Sequence, residues 1–88
     1  MPDYRARIDV MLKPLVNDPQ GLAVRDGLKS LGFASAQAVR VGKHIELTVT
    51  AESASDAEQA VHSMCDKLLA NPVIEDYAFE VVEVTPVA

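Results

Sequence analysis

Cys65-Asp66-Lys67-Leu68-Leu69-Ala70-Asn71-Pro72-Val73-Ile74-Glu75-Asp76-Tyr77 is the stretch on which the fold turns. Leu68 and Leu69 close an apolar helical face, and Asn71 tolerates the left-handed backbone that often stops a helix. Pro72 has no N–H, so it cannot continue a helix, and it pushes Asn71 out of helical geometry. Val73 and Ile74 are placed to anchor the turn on a core. Tyr77 opens an alternating run to Val84, with Tyr77, Phe79 and Val81 on one face and Ala78, Glu80, Val82 and Val84 on the other, which reads as the last strand. The segment therefore sets how a helix lies against a sheet. It contains no nucleophile–base pair and no metal-ligand spacing.

Upstream, Ser55-Asp56-Ala57-Glu58 is a capping box, which predicts the start of that helix. Ala57, Val61, Met64 and Leu68 form its stripe, widened by Ala60, Cys65 and Leu69. Before it, Ile45, Leu47 and Val49 alternate with His44, Glu46, Thr48 and Thr50. Val39 and Val41 alternate with Ala38 and Arg40, so Gly42-Lys43 reads as a hairpin turn between two strands, with Arg40 facing Glu46. Earlier still, Asp18-Pro19-Gln20-Gly21 predicts a helix start, Asp18 capping and Pro19 at the first helical position. Val24, Leu28 and Leu31 come next at helical spacing, Gly27 is expected at a close approach to the sheet, and Gly32 is the expected stop. The chain opens on a strand whose Tyr4, Ala6, Ile8, Val10 and Leu12 share one face, while Arg5, Arg7, Asp9, Met11 and Lys13 share the other. A frayed tail is expected from Thr85.

These elements predict an α+β fold: a β-α-β-β-α-β two-layer sandwich, an antiparallel sheet with two helices on one face. Residues 1–88 read as a single domain, ordered over about 3–84. The second sheet face carries Arg5, Arg7, Met11, Arg40, Glu46, Thr48, Glu80, Val82 and Val84. It reads either as a solvated strand face or, given its apolar members, as a surface for another subunit.

Eighty-eight residues bury only roughly 60–65% of their unfolded surface, a thin margin that oligomerisation commonly remedies. With two Phe, two Tyr and no Trp, the core must come from Val, Leu, Ile and Ala. A net charge of −5 argues against nucleic acid, whose phosphates require clustered Lys and Arg. No apolar run reaches the roughly 18–20 residues that span a bilayer. Met1 to Arg5 has no apolar signal core, and the single Cys65 cannot form an internal disulfide, so a cytoplasmic location is expected. His44 and His62 lie on different elements without a second ligand at metal spacing, and Cys65 sits on the apolar-flanked side of its helix, as a structural cysteine does. The glycines form no phosphate-cradling loop. Asp18-Pro19-Gln20-Gly21-Leu22, coming after a first strand, is loosely similar to the ligand turn of ACT-like amino-acid-binding domains, which stand as the alternative class.

Taken together the motifs resemble the small PurS-type subunit of phosphoribosylformylglycinamidine synthase. The resemblance is carried by Leu12-Lys13, Asp18-Pro19-Gln20-Gly21, Leu31-Gly32, Val39-Arg40-Val41-Gly42-Lys43, Ile45-Glu46-Leu47 and, longest, the run from Met64 to Tyr77. It departs at Asn17, where an apolar residue is expected, and at His44. The resemblance implies a non-catalytic assembly subunit in purine biosynthesis. Such a subunit joins a PurL-type synthetase to a PurQ-type glutaminase, assists ammonia transfer and associates with itself as a dimer or tetramer. It implies no cofactor, metal or catalytic residue on this chain, the complex using ATP, magnesium and glutamine. It also selects Asp18, Pro19, Gln20, Gly21, Arg40, Gly42, Lys43 and Glu46 as partner contacts. For the turn and cap residues among them a purely structural role stands beside the contact role.

Overall fold

A computed structural model of the chain describes residues 1–14, 16 and 18–84. The expectations for Asn17 and for the tail from Thr85 fall outside the described residues. The elements are β1 (Asp3–Leu12), α1 (Pro19–Ser30), β2 (Gly42–Thr50), α2 (Ala54–Met64), which a π-helical turn continues over Cys65–Leu69, and β3 (Glu75–Glu83). The α+β class and the antiparallel sheet are as expected. The sheet has three strands in the order β2-β1-β3.

β1 is central because its alternation supplies a continuous apolar row. Tyr4, Ala6, Ile8 and Val10 are all buried. In register, Ile8 lies between Ile45 and Phe79, and Ala6 between Leu47 and Val81. α2 covers this row with Ala57, Val61 and Cys65, each without solvent contact. Burying one Ile or Val side chain in this way contributes about 1.5–3 kcal/mol. The cap of α2 is Ser53, two residues earlier than the expected Ser55: its Oγ accepts from the Asp56 N–H at 3.1 Å. Both serines have an acid three residues on, and the earlier one has the extended backbone of a cap residue, whereas Ser55 lies within the helix.

The segment after α2 differs from expectation in mechanism. The Ala70 N–H donates to the Cys65 carbonyl five residues back at 3.0 Å. This wider turn rotates Leu68 outward, leaving it 83% exposed, while Leu69 packs on the core. Asn71 is not left-handed, since no described residue other than Gly32 has a positive φ. The helix ends where Ala70 turns extended, and Asn71 fastens the turn that comes next: its side-chain Oδ1 accepts from the Val73 N–H at 3.1 Å, and its backbone N–H donates to Glu75 Oε1 at 2.7 Å. Val73 faces solvent. The Ile74 carbonyl pins the turn to β1 by accepting the Lys13 N–H at 2.8 Å.

The largest differences concern α1 and the chain that returns from it. Residues 38–41 form no strand, and Gly42 and Lys43 belong to β2 rather than to a hairpin turn. α1 makes no extensive contact with the sheet or with α2. Nothing lies within 4 Å of a Cβ built on Gly27, so that glycine marks no close packing. α1 ends as expected at Gly32, φ 98°, with Gly32 N–H donating to Lys29 and Phe33 N–H to Leu28. A ten-residue strand spans about 33 Å and a twelve-residue helix about 18 Å. Laid end to end they match the 51 Å long axis of a molecule only 14 Å thick. The Cα radius of gyration is 17.1 Å, against about 12 Å for a compact chain of this length. The molecule is a sheet-and-helix body with an arm, α1 and its returning chain, projecting from the Leu12–Gly42 end.

Candidate functional site

The arm leaves the body through an elbow built around Asp18. One carboxylate oxygen accepts the Gly21 N–H at 2.8 Å and caps α1; the other accepts the Val41 N–H at 3.0 Å across the returning chain. These two bonds, first that to Val41 and then that to Gly21, hold the Asp18 carboxyl below the usual carboxylate range, with the Arg40 cation adding to them. The Arg40 guanidinium donates to the Leu12 carbonyl, closing the elbow from the other side. The backbone approaches are tight. A Cβ on Gly21 would collide with the Val39 carbonyl, and one on Gly42 with the Met11 sulfur and the Val10 carbonyl. Gly42 is thus required for close approach to β1 rather than for a turn.

The elbow brings together Asp18, Pro19, Gln20, Gly21, Arg40, Gly42 and Lys43. A shallow cleft of about 220 Å³ opens there, lined by Gln20, Lys43, Gly42 and Glu75 among others. Glu46 lies apart, on the outer sheet face, and its partner is Arg7 rather than Arg40: Arg7 Nε is 3.6 Å from Glu46 Oε1, and Nη1 is 3.7 Å from Glu80 Oε1. Arg7 lies between the two acids and pairs with both, so each faces the guanidinium rather than the other carboxylate. His44 continues the row, with Nδ1 2.6 Å from Asp9 Oδ1. These half-exposed pairs are worth about 0–1 kcal/mol each, and they orient the face more than they stabilise it.

The other titratable groups have structural roles. Burial pushes the Cys65 thiol up, and Asp66 adds to the effect. A raised thiol is a poor nucleophile at neutral pH. The Tyr77 hydroxyl donates to Asp66 Oδ1 at 2.7 Å and meets His62 Nδ1 at 3.0 Å, tying β3 to α2. The bond to Asp66 leads the causes that push Tyr77 up to about 12. Among the described residues no three His, Cys, Asp or Glu side chains converge as metal ligands, and no helix is long and apolar enough to cross a membrane.

Two apolar surfaces were not foreseen from the sequence. One is on the arm, where Val24, Leu31 (76% exposed) and Phe33 (57%) stand in solvent. The other is a groove of about 500 Å³ between β2 and α2, formed by Leu47, Ala60, Met64, Leu68 and Leu69 with Lys67 at its rim. The helical spacing of Val24, Leu28 and Leu31 is a usable signal for the first surface, although spacing alone reads as a face turned to the chain's own sheet.

The family model for PurS, phosphoribosylformylglycinamidine (FGAM) synthase, matches residues 5–83. The phosphoribosylformylglycinamidine synthase subunit PurS of Synechocystis is 51% identical over 78 residues, covering 89% of this chain and 78% of that protein. The subunit of the same name from Bacillus subtilis is 49% identical over 81 residues, covering 92% and 95%. Among solved structures, B. subtilis PurS superposes with a TM-score of 0.80 at 48% identity, covering 91% of this chain and 99% of that one. A chain in the structure of PurLQS from Thermotoga maritima superposes with a TM-score of 0.82 at 37% identity, covering 96% and 100%.

Proposed function

The chain belongs to the PurS family of phosphoribosylformylglycinamidine synthase subunits, and from that premise we propose that it is the piece that holds the enzyme's other subunits together. It is a subunit of the FGAM synthase complex of purine biosynthesis. In the proposal it bridges a PurL-type synthetase and a PurQ-type glutaminase in the cytoplasm and self-associates as a dimer or tetramer. The complex converts formylglycinamide ribonucleotide to its amidine, with ATP and magnesium at the synthetase and ammonia drawn from glutamine. Free ammonia is protonated and lost in water, so its passage requires a sealed junction between subunits, and a rigid flat sheet suits that task. The elbow residues Asp18 to Gly21, Arg40, Gly42 and Lys43, with Glu46 on the outer face, are assigned to partner contacts.

The observation that carries this reading is the shape. A slab 51 × 35 × 14 Å, with the outer edges of β2 and β3 unpaired among the described residues, offers a large contact area per residue. The likeness to a chain of Thermotoga PurLQS supports the same role. The ACT-like alternative finds no support, since the similar proteins and structures are PurS proteins. The test is sedimentation of the chain with its own organism's synthetase and glutaminase. A single three-component boundary is expected, and synthetase and glutaminase that co-sediment equally well without this chain would refute the bridging role.

A further inference from the structure

We propose that His62, Asp66 and Tyr77 form a proton-operated clasp on the π-helical turn, closed while the His62 ring is protonated and loosened when the ring is neutral.

The turn is a segment with a second conformation within reach. The Ala70 N–H bonds to the Cys65 carbonyl, five residues back. An α-helical continuation takes the Asp66 carbonyl instead, four residues back. Wider turns of this kind are rare and often stand at functional sites. Exchanging one turn for the other rotates residues 66–69 about the helix axis. Asp66 is then drawn away from β3, and the exposure of Leu68 and the packing of Leu69 on the core both change.

Asp66 lies inside the turn and ties it to β3, where the Tyr77 hydroxyl donates to Asp66 Oδ1 at 2.7 Å. His62, on the last part of α2, touches both partners. Its Nδ1 is 3.0 Å from the Tyr77 hydroxyl oxygen, and its Nε2 is 3.3 Å from Asp66 Oδ2. Its ring also lies beside that of Phe79, with centroids 6.4 Å apart. The titratable groups that face His62 are thus Asp66 on the continuation of its own helix and Tyr77 on β3, with the Cys65 thiol near enough to act on the Tyr77 hydroxyl.

The number of protons decides how many of these contacts are compatible. The phenol has one proton and keeps it well past neutrality, since the Asp66 bond and burial push Tyr77 up to about 12. A neutral imidazole has one N–H. With the hydrogen on Nε2, the Nδ1 lone pair competes with Asp66 for the phenolic proton. With the hydrogen on Nδ1, a bare Nε2 lone pair faces the Asp66 carboxylate. The protonated ring has N–H on both nitrogens. Nδ1–H then meets the phenolic oxygen, the phenol gives its proton to Asp66 alone, and a positive ring faces the carboxylate. All three contacts hold together only in that state. The contribution of the charged ring is present at the acid end of the histidine range and is lost as pH rises between about 5 and 8. The His62 and Asp66 side chains are 62% and 47% exposed, so water screens the pair and the effect is modest.

Amide hydrogen exchange followed by NMR on the full chain tests this. Protection of the Ala70 N–H, corrected for intrinsic rate and taken relative to Ile8 and Val10, should fall about two- to fivefold from about pH 6 to about pH 8. His62→Gln replaces an exposed side chain by one that does not titrate and should abolish that pH dependence. Tyr77→Phe should abolish it too, and should lower Ala70 protection at the acid end. His44→Gln should leave it intact, because His44 lies on the outer sheet face against Asp9. Relative protection at Ala70 that stays level with pH in the wild type, or that keeps its pH dependence in His62→Gln, overturns the clasp.

Discussion

β1 and α1 are neighbours in the sequence, both carry apolar residues at regular spacing, and they end in opposite surroundings. β1 buries Tyr4, Ala6, Ile8 and Val10 beneath α2 and between two strands. α1 buries only Gly21 and leaves Leu22, Val24 and the flanking Leu31 in water. Burial of apolar surface is the main force that favours folding. The body therefore holds nearly all of the chain's own stability. The arm depends on an elbow of hydrogen bonds. One chain thus combines a unit with its own core and an arm whose apolar side chains stand in solvent.

The largest expected effect is in the body. Ile8→Ala removes a fully buried side chain facing Ile45 and Phe79. It should cost about 2–5 kcal/mol in urea unfolding at fixed protein concentration, the concentration being held because assembly contributes to the measured value. A cost similar to that of an exposed-site change would place the core elsewhere.

The next effect falls on the elbow and should separate arm from body. Asp18→Asn keeps one acceptor oxygen but cannot serve both the Gly21 and Val41 N–H groups. Amide exchange at Val41 should accelerate while exchange at Ile8 and Val10 stays unchanged; equal acceleration throughout would mean that arm and body unfold as one. pH should act in the same place. The folded-state carboxyl is held below its ordinary value, so the clasp's contribution is fully present above the usual aspartate pKa of about 3.9 and is lost as pH falls through the lower folded-state value. The Val41 amide resonance, tracked through an acid titration, should move over that window before the body melts.

Ser53→Ala removes the cap of α2 and should cost about 1 kcal/mol in the body, leaving Val41 exchange untouched. The smallest effect on folding is expected at Lys43→Glu, since Lys43 is exposed beside the elbow cleft. It should leave urea unfolding within about 0.5 kcal/mol of wild type while weakening association with the synthetase and glutaminase. Unchanged association would remove Lys43 from the partner surface.

The body is far more legible in the sequence than the arm, for a physical reason. Alternation in β1 and β3 and the stripe Ala57-Val61-Cys65 report burial directly, because those side chains meet their partners within the chain. Asp18 and Gly32 are legible because capping is local. Val39 and Val41 alternate like a strand, but the Val41 N–H is taken by Asp18 and the Val39 carbonyl lies against Gly21, so the segment meets the start of α1 rather than a neighbouring strand. The α1 stripe is apolar, as its spacing indicates, yet it does not face the chain's own sheet, since spacing states that a face is to be covered and not by which chain. The π-helical turn that exposes Leu68 depends on how Cys65 and Ala70 pack, and it leaves no periodic trace in the sequence. Of the candidate site residues, the elbow group is selected through the resemblance alone; that its members meet at one backbone crossing follows from the fold and not from their spacing. The hairpin register, by contrast, assigns Glu46 the wrong partner.

The central claim, that this chain is the assembly subunit of an amidine-forming ligase, meets its most direct test in turnover. Synthetase and glutaminase are assayed for formylglycinamidine ribonucleotide formation with and without this chain, once with glutamine and once with ammonia. Glutamine-dependent turnover should require the chain, and ammonia-dependent turnover should not. Glutamine-dependent turnover that proceeds equally well in its absence would contradict the claim.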